Sequence, residues 1–231
     1  MKDARQQETE IGSLQNKVAA LADALPLRLI IGQPTSTIDF KKIPKRGTPL
    51  VIDLSDIGDE PAALLGALIL NAFRQAADTT RNKSSYRLVV DETQNFGTHV
   101  LDTVLAESGK RELWLTLADQ FVSQLDQRLW HSILANCSTI ISFRVGAEDA
   151  PIVANALDWN AHDLQNLGRG QARFVTLFHG KPSAATLMQT EKAELATGYL
   201  EKNVRVTRNR YARPRDLVER HLKPPARRDW R

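Results

Sequence analysis

Two adjacent carboxylates, Asp91 and Glu92, directly follow a short run of strand-forming residues. That run, residues 86–90, ends in leucine and two valines and predicts a buried parallel strand. Open α/β sheets bind their ligands at the carboxyl ends of their strands, so both side chains are expected at a ligand site. One carboxylate could hold the water shell of a Mg²⁺ ion while the next polarises an attacking water. The pair therefore indicates phosphoryl-transfer chemistry.

Polar residues also follow two further strand-like segments downstream. Asp119 and Gln120 come after an apolar segment over 113–118, and Arg144 comes after residues 139–143. A glutamine can position the attacking water, and an arginine can neutralise the charge that develops in phosphoryl transfer. Each also has a structural explanation, since Gln120 could cap the following helix and Arg144 could form an ion pair. The three ends together favour one site at one edge of a sheet.

The phosphate-binding loop that usually accompanies such carboxylates is missing from these residues. The motif G-x-x-x-x-G-K-[ST] does not occur. Its nearest approaches, Gly47-Thr48 and Gly109-Lys110, lack the spacing. The sequence therefore predicts half of a nucleotide site.

The composition is that of a globular protein. The 231 residues are 42% apolar and 25% charged, enough for one substantial core. No apolar run approaches the ~18 residues of a membrane span. Cys137 is the single cysteine, which fits a reducing cytoplasm, and the five histidines lack metal-ligand spacing. We expect a cytoplasmic protein without a zinc site.

Positive charge is concentrated at the C-terminus. Residues 202–231 contain eleven Lys/Arg and three Asp/Glu, a net charge of +8, whereas the whole chain carries +4. Such a segment could bind nucleic acid phosphates or an acidic partner, or it could be a solvated helix. The candidate DNA-binding residues are Arg205, Arg208, Arg210, Arg213 and Arg215.

Strands alternate with helices along most of the chain, which predicts a parallel sheet flanked by helices. The predicted core strands are 51–53, 88–90, 115–117 and 140–143. A hairpin is expected over residues 173–188, with helices over 191–203 and 214–222 after it. The pattern divides the chain into an N-terminal helix (1–26), an α/β domain (27–190) and a basic helical tail (191–231).

Several short motifs occur in a characteristic order. The main ones are Asp-Glu-Thr-Gln-Asn-Phe at 91–96, Leu-Ala-Glu-Ser-Gly-Lys at 105–110, Leu-Thr-Leu-Ala-Asp-Gln at 115–120 and Phe-Arg-Val-Gly at 143–146. Over about residues 25–190 the sequence resembles the C-terminal half of the conjugative, type IV secretion coupling ATPases of the HerA–FtsK superfamily. It departs from them at Gly109, where the family usually has arginine, and at Glu112, where it has glycine.

The resemblance implies a partial RecA-like, P-loop ATPase-type sheet without the Walker A half, followed by the hairpin and basic tail. Asp91 and Glu92 match the Walker B pair, with Asp91 holding Mg²⁺ through water when nucleotide is bound. Gln120 matches the sensor glutamine, and Arg144 matches a trans-acting arginine between hexamer subunits. In the family, the phosphate-loop strand lies between those corresponding to 115–117 and 140–143. Here these two strands should pair directly or leave an open slot.

By resemblance the cofactors are ATP and Mg²⁺, and the isolated chain is expected to hydrolyse ATP negligibly. The expected partners are a P-loop-bearing ATPase or other secretion subunits, which could hold the protein peripherally at the inner membrane, and DNA. Three hypotheses remain: a component of a DNA-transfer motor, a non-enzymatic interaction module, and an inactive remnant of such an ATPase.

Overall fold

The computed structural model describes residues 24–43, 47, 49–79, 86–96, 98–108, 113–194 and 198–222. The predicted helix over 1–26 lies almost entirely outside these residues. The chain forms two units: residues 1–69 with 196–231, and residues 70–195.

Helices and strands alternate through the middle of the chain and give way to strands and then helices towards the C-terminus. In chain order, they are α1 (Leu25–Ile31), α2 (Asp59–Thr79), β1 (Tyr86–Val90), α3 (Thr98–Ser108), β2 (Leu113–Leu117), α4 (Gln127–Asn136), β3 (Thr139–Ser142), α5 (Asp149–Leu157), α6 (Ala161–Gln165), β4 (Gln171–Phe178), β5 (Lys181–Pro182), β6 (Thr186–Gln189), α7 (Leu200–Tyr211) and α8 (Arg215–Leu222). The α/β class is as predicted.

The second unit contains a parallel pair of strands. β1 and β2 run parallel with Val90 opposite Leu117, so both end at the same edge. Helices α3 and α4 cover one face, because alternate strand residues and one stripe of each helix are apolar. The buried core consists of Leu70, Val90, Leu101, Leu105 and Leu129.

A separate antiparallel sheet follows in the same unit. β4 pairs with β3, β5 and β6, and β4 to β6 form the predicted hairpin. Helices α5 and α6 pack on each other around a small core that includes Val153 and Leu164.

The prediction of four parallel core strands is wrong in detail. β3 pairs antiparallel with β4, and among the described residues it does not pair with β2. Residues 51–53 form no strand, and the Val51 side chain is 88% exposed. Pro49 lacks a backbone donor, and the Asp53 carboxylate accepts hydrogen bonds from the N–H and hydroxyl of Ser55, which starts a turn.

The first unit joins distant parts of the sequence. Leu27 on α1 and Val218 on α8 are buried, and Gly32 lies so close to Leu222 that a Cβ would be 2.5 Å from its Cδ2 atom. The predicted helix over 191–203 is wrong in its limits, because residues 191–194 are not helical and α7 begins at Leu200. The predicted last helix, over 214–222, agrees with α8. No helix among the described residues has the length and apolarity needed to cross a bilayer.

Candidate functional site

The site is built where β1 and β2 end. Asp91 and Glu92 follow β1, and Asp119 and Gln120 follow β2 after Ala118. The Ala118 N–H donates to the Val90 carbonyl, which extends the parallel pairing one residue beyond β2. The polar residues therefore emerge side by side at one edge, as the position of ligand sites in open α/β sheets predicts.

The backbone turns sharply at Glu92. Its φ of 52° lies in the left-handed region, which costs a non-glycine residue roughly 1 kcal/mol. Two hydrogen bonds hold the turn: the N–H and hydroxyl of Thr93 both donate to the Ala118 carbonyl, at 3.1 and 2.8 Å. Thr93 is completely buried. A strained backbone held by a buried side chain fixes the direction in which the Glu92 side chain leaves the sheet.

Amide groups contact both oxygens of the Glu92 carboxylate. Asn95 Nδ2 donates to Oε2 at 3.0 Å, and Gln120 Nε2 donates to Oε1 at 3.5 Å, the upper limit of a hydrogen bond. The Gln120 contact joins the ends of the two strands. Glu92 is itself exposed, so its carboxylate can accept a proton from a ligand or water. The arrangement orients a general base at the sheet edge.

Asp91 is also exposed, and its Oδ1 atom accepts the Glu92 N–H at 3.0 Å. Carboxylate oxygens suit Mg²⁺, which takes one or two from a protein and completes its shell with water and substrate phosphates. Among the described residues no three acidic, histidine or cysteine side chains converge as metal ligands. Asp91 and Glu92 therefore fit Mg²⁺ that arrives with phosphate better than a resident metal.

Asp119 does not share this exposed site, because both of its carboxylate oxygens are buried. Burial raises the pKa of Asp119, and the nearby Asp149 carboxylate adds to the rise. The backbone N–H groups of Phe121, Gln120 and Gln94 oppose the shift but do not form hydrogen bonds of good geometry. Asp119 lies beneath the site as a buried acid.

Asp149 anchors the segment that follows Gln120. It is 3% exposed, and its Oδ1 atom accepts the Ser123 N–H at 2.8 Å. From the sequence alone this residue had no assigned role, and neither did Thr93 and Asn95, although both lie in the motif at 91–96. One signal was available for Asp149, because acidic residues are favoured in the first turn of a helix and Asp149 begins α5.

Arg144 forms no direct polar contact with the carboxylates among the described residues. It follows β3 by two residues, is exposed, and makes no hydrogen bond or ion pair among the described residues. The structure therefore connects Asp91, Glu92 and Gln120 through hydrogen bonds, whereas among the described residues no such bond connects Arg144 to them.

The five candidate DNA-binding arginines have different surroundings. Arg205 and Arg208 are exposed on α7, with no hydrogen bond or ion pair in the described part of the chain. Arg210 lies 5.4 Å from the ring centre of its neighbour Tyr211. Arg213 donates to the Thr35 hydroxyl, and Arg215 forms an ion pair with Glu219. The first two are the most available for a ligand.

The solved structures that match this chain do so over part of its length and at low sequence identity. VirB4 of Thermoanaerobacter pseudethanolicus is 18% identical with a TM-score of 0.48, over 61% of this chain and 40% of that one. The genome packaging NTPase B204 from Sulfolobus turreted icosahedral virus 2, in complex with AMPPCP, is 14% identical with a TM-score of 0.43, over 55% of this chain and 63% of that one. This chain thus spans less than two thirds of either protein's length. No curated protein matches it.

The family match covers the site. Residues 85–155, less than a third of the chain, match the family described as the TraM recognition site of TraD and TraG. This segment includes Asp91, Glu92, Gln120 and Arg144. The predicted resemblance to conjugative, type IV secretion ATPases is thereby confirmed for residues 85–155, which are similar to the TraM recognition site of TraD and TraG.

Proposed function

We propose that the protein is a component of a conjugative DNA-transfer or type IV secretion motor and supplies the acidic and sensor half of a nucleotide site. The observation that carries the proposal is the contact of Gln120 with Glu92 at the ends of two parallel strands. The family match over the same residues supports it. A P-loop-bearing partner supplies the phosphate loop.

In this proposal each side chain of the site has a defined role. The ligand is ATP bound to Mg²⁺, and the ATP supplies the phosphoryl group. Asp91 holds the water shell of the metal. Glu92 accepts a proton from the attacking water, and Gln120 and Asn95 keep its carboxylate oriented. Gln120, which bridges the two strand ends, also senses the terminal phosphate.

The isolated chain should not hydrolyse ATP at a significant rate. Backbone N–H groups of a phosphate loop, together with its lysine, provide most of the grip on a triphosphate. Asp91 and Glu92 alone would repel the nucleotide. Steady turnover by the purified chain that Glu92→Gln abolishes would contradict this and indicate an unrecognised phosphate site.

Arg144 acts in trans in this proposal, in a hexameric ring assembled at the inner membrane. It is exposed and unpaired within the described residues, so it is available to a neighbouring subunit. Losing such an arginine typically costs ~10³-fold or more in turnover. Arg144→Ala should spare assembly with the P-loop partner but cut the ATPase rate of the complex.

The test is reconstitution with the P-loop-bearing secretion ATPase encoded nearest to this chain. ATP hydrolysis should rise when the two proteins are mixed, and Glu92→Gln should remove the increase. The matched control is Glu191→Gln, which makes the same chemical change at an exposed residue with no hydrogen bond in the described part of the chain. An equal rate with and without this chain would reject the motor role.

A second function is favoured by the family's description. TraD and TraG use the matching segment to recognise TraM. The chain would then be a docking module for a TraM-like relaxosome protein, with no role for Glu92. Capture of such a protein by the wild type and Glu92→Gln alike, without any gain in hydrolysis, would favour the module. Neither binding nor activity would favour a remnant.

A further inference from the structure

Helix α7 buries none of its side chains. All of its residues, Leu200–Tyr211, are described, none of them is buried, and its N-terminus has no side-chain cap. Isolated helices shorter than about 12–15 residues are marginal in water even when their composition favours helix. Five residues of α7 are valine, threonine or asparagine, which are weaker helix formers. A helix of this composition that buries no side chain is expected to gain stability from a partner.

One side of α7 carries a narrow, largely apolar stripe. It consists of residues at intervals of four, three and four, the spacing of core positions in a coiled coil: Leu200, Val204, Thr207 and Tyr211. Leu200 and Val204 are 76% and 39% exposed. A helix that lies on lipid needs a wide apolar face with bulky side chains, whereas a stripe limited to these positions is typical of a helix that pairs with another helix. The stripe therefore fits a partner helix better than a membrane.

Arginines border the stripe on both sides. Arg208 and Arg210 occupy the positions that flank the core of a coiled coil, where charged residues select the partner. Arg210 lies 5.4 Å from the centre of the Tyr211 ring, at the end of the stripe. Arg208 forms no hydrogen bond or ion pair among the described residues, and together with Val204 and Arg205 it lines a shallow depression of the surface. An apolar side chain beside two guanidinium groups suits the aliphatic stem and the carboxylate of a glutamate.

Other occupants match α7 less well. The helix has four basic residues and one acidic residue, a net charge of +3, so a second copy of this chain would be repelled. Its 12 residues extend over about 18 Å, which is short for a permanent interface between two copies. Duplex DNA would contact the arginines through its phosphates and leave Leu200 and Val204 uncovered. An acidic helix matches both the stripe and the charge.

We propose that α7 is a docking site for an acidic amphipathic helix of another protein. Apolar residues of that helix, at the same heptad spacing, cover Leu200 and Val204. Its glutamate or aspartate side chains, at the flanking positions, pair with Arg205 and Arg208. The contact uses no residue of the candidate nucleotide site and needs no nucleotide, so it holds or fails independently of the proposed motor function.

The test is fluorescence anisotropy with the full chain and a labelled synthetic peptide. The probe is a helical peptide of three heptads, with leucine at the core positions and glutamate at the flanking positions. We expect saturable binding that weakens as salt is added, because the ion pairs are exposed. Two control peptides, one with the same residues in scrambled order and one with lysine in place of glutamate, should each bind at least about tenfold more weakly.

Two matched pairs of variants locate the contact on α7. Val204→Ser removes an apolar group from the stripe, and Val206→Ser makes the same change on the other side of the helix, where Val206 is 54% exposed. Arg208→Glu reverses a charge beside the stripe, and Lys202→Glu reverses one on the opposite side. In each pair the first variant should weaken peptide binding about tenfold more than the second. All four residues are exposed, so these changes should leave the fold intact, which circular dichroism checks.

Any of four results overturns the proposal. The first is equal weakening by Val204→Ser and Val206→Ser, and the second is equal binding of the glutamate peptide and either control peptide. The third is a dimer in sedimentation experiments that Val204→Ser dissociates and Val206→Ser does not, which would assign the stripe to a second copy. The fourth is binding that Arg208→Glu and Lys202→Glu weaken alike, which would make α7 a general surface for polyanions such as DNA.

Discussion

Replacing Thr93 with valine removes the hydroxyl that holds the carboxylate turn and keeps the size of the side chain. Thr93 is fully buried, and its hydroxyl donates to the Ala118 carbonyl at 2.8 Å. A net intramolecular hydrogen bond contributes about 1 kcal/mol. The Ala118 carbonyl still accepts the Thr93 N–H, so no buried acceptor is left unpaired. We therefore expect a loss of about 1 kcal/mol rather than the ~3 kcal/mol of an orphaned group.

The measurement is urea unfolding followed by circular dichroism. Thr93→Val should lower the midpoint at an unchanged slope and lower the melting temperature by about 2–4 °C. The control is Thr139→Val, which removes an exposed hydroxyl that hydrogen-bonds to Thr176 and should change stability by less than about 0.5 kcal/mol. Thr93→Ser keeps the hydroxyl and separates the effect of the hydrogen bond from that of the methyl group. Equal losses of stability for Thr93→Val and Thr139→Val would refute the reasoning.

Three further outcomes follow from the site and the tail. Asp119→Asn should stabilise the protein at neutral pH. Because burial raises the pKa of Asp119, the folded state disfavours its charge, so the gain should grow as pH rises through that raised pKa and vanish in acid, as measured by thermal melts from pH 3 to 8. Glu92→Gly should raise unfolding free energy by about 1 kcal/mol in urea titrations by relieving the positive φ. Paired Arg205→Ala and Arg208→Ala changes should weaken duplex DNA binding and reduce its salt slope by about 0.9 for each phosphate that the protein no longer neutralises, and an unchanged slope would exclude these residues from binding DNA.

The placing of Asp91, Glu92 and Gln120 together was predictable because it depends only on strand order and direction. Each follows a run with strand-forming composition, and parallel neighbours end at one edge. Helix α2 was predictable for a similar reason, since proline in the first turn and a long apolar period identify it. Its buried face is harder to assign from the sequence, because two nearby leucines differ: Leu68 is exposed, whereas Leu70 is buried.

The predictions that were wrong or missing concern residues whose structure depends on hydrogen-bonding partners, which a local sequence pattern does not specify. The run at 51–53 has strand composition, but a strand also needs a neighbour for its backbone groups, and the structure gives it none among the described residues. Thr93 and Asn95 lie in the motif at 91–96, but their roles were not predicted because one hydrogen bond from a common residue type leaves no periodic signal. Their importance became visible only with Ala118 and Glu92 beside them.

The hydrogen bond from Ser123 to Asp149 has a mechanical consequence for Gln120. The segment from Ala118 to Ser123 is fixed at one end by Thr93 and at the other by the first turn of α5. Gln120 therefore lies in a short backbone segment that hydrogen bonds hold at both ends. Helix α5 begins five residues after Arg144. A force on Arg144 that shifts α5 would therefore reach Gln120 through the Ser123–Asp149 hydrogen bond and change how its amide aligns with the Glu92 carboxylate.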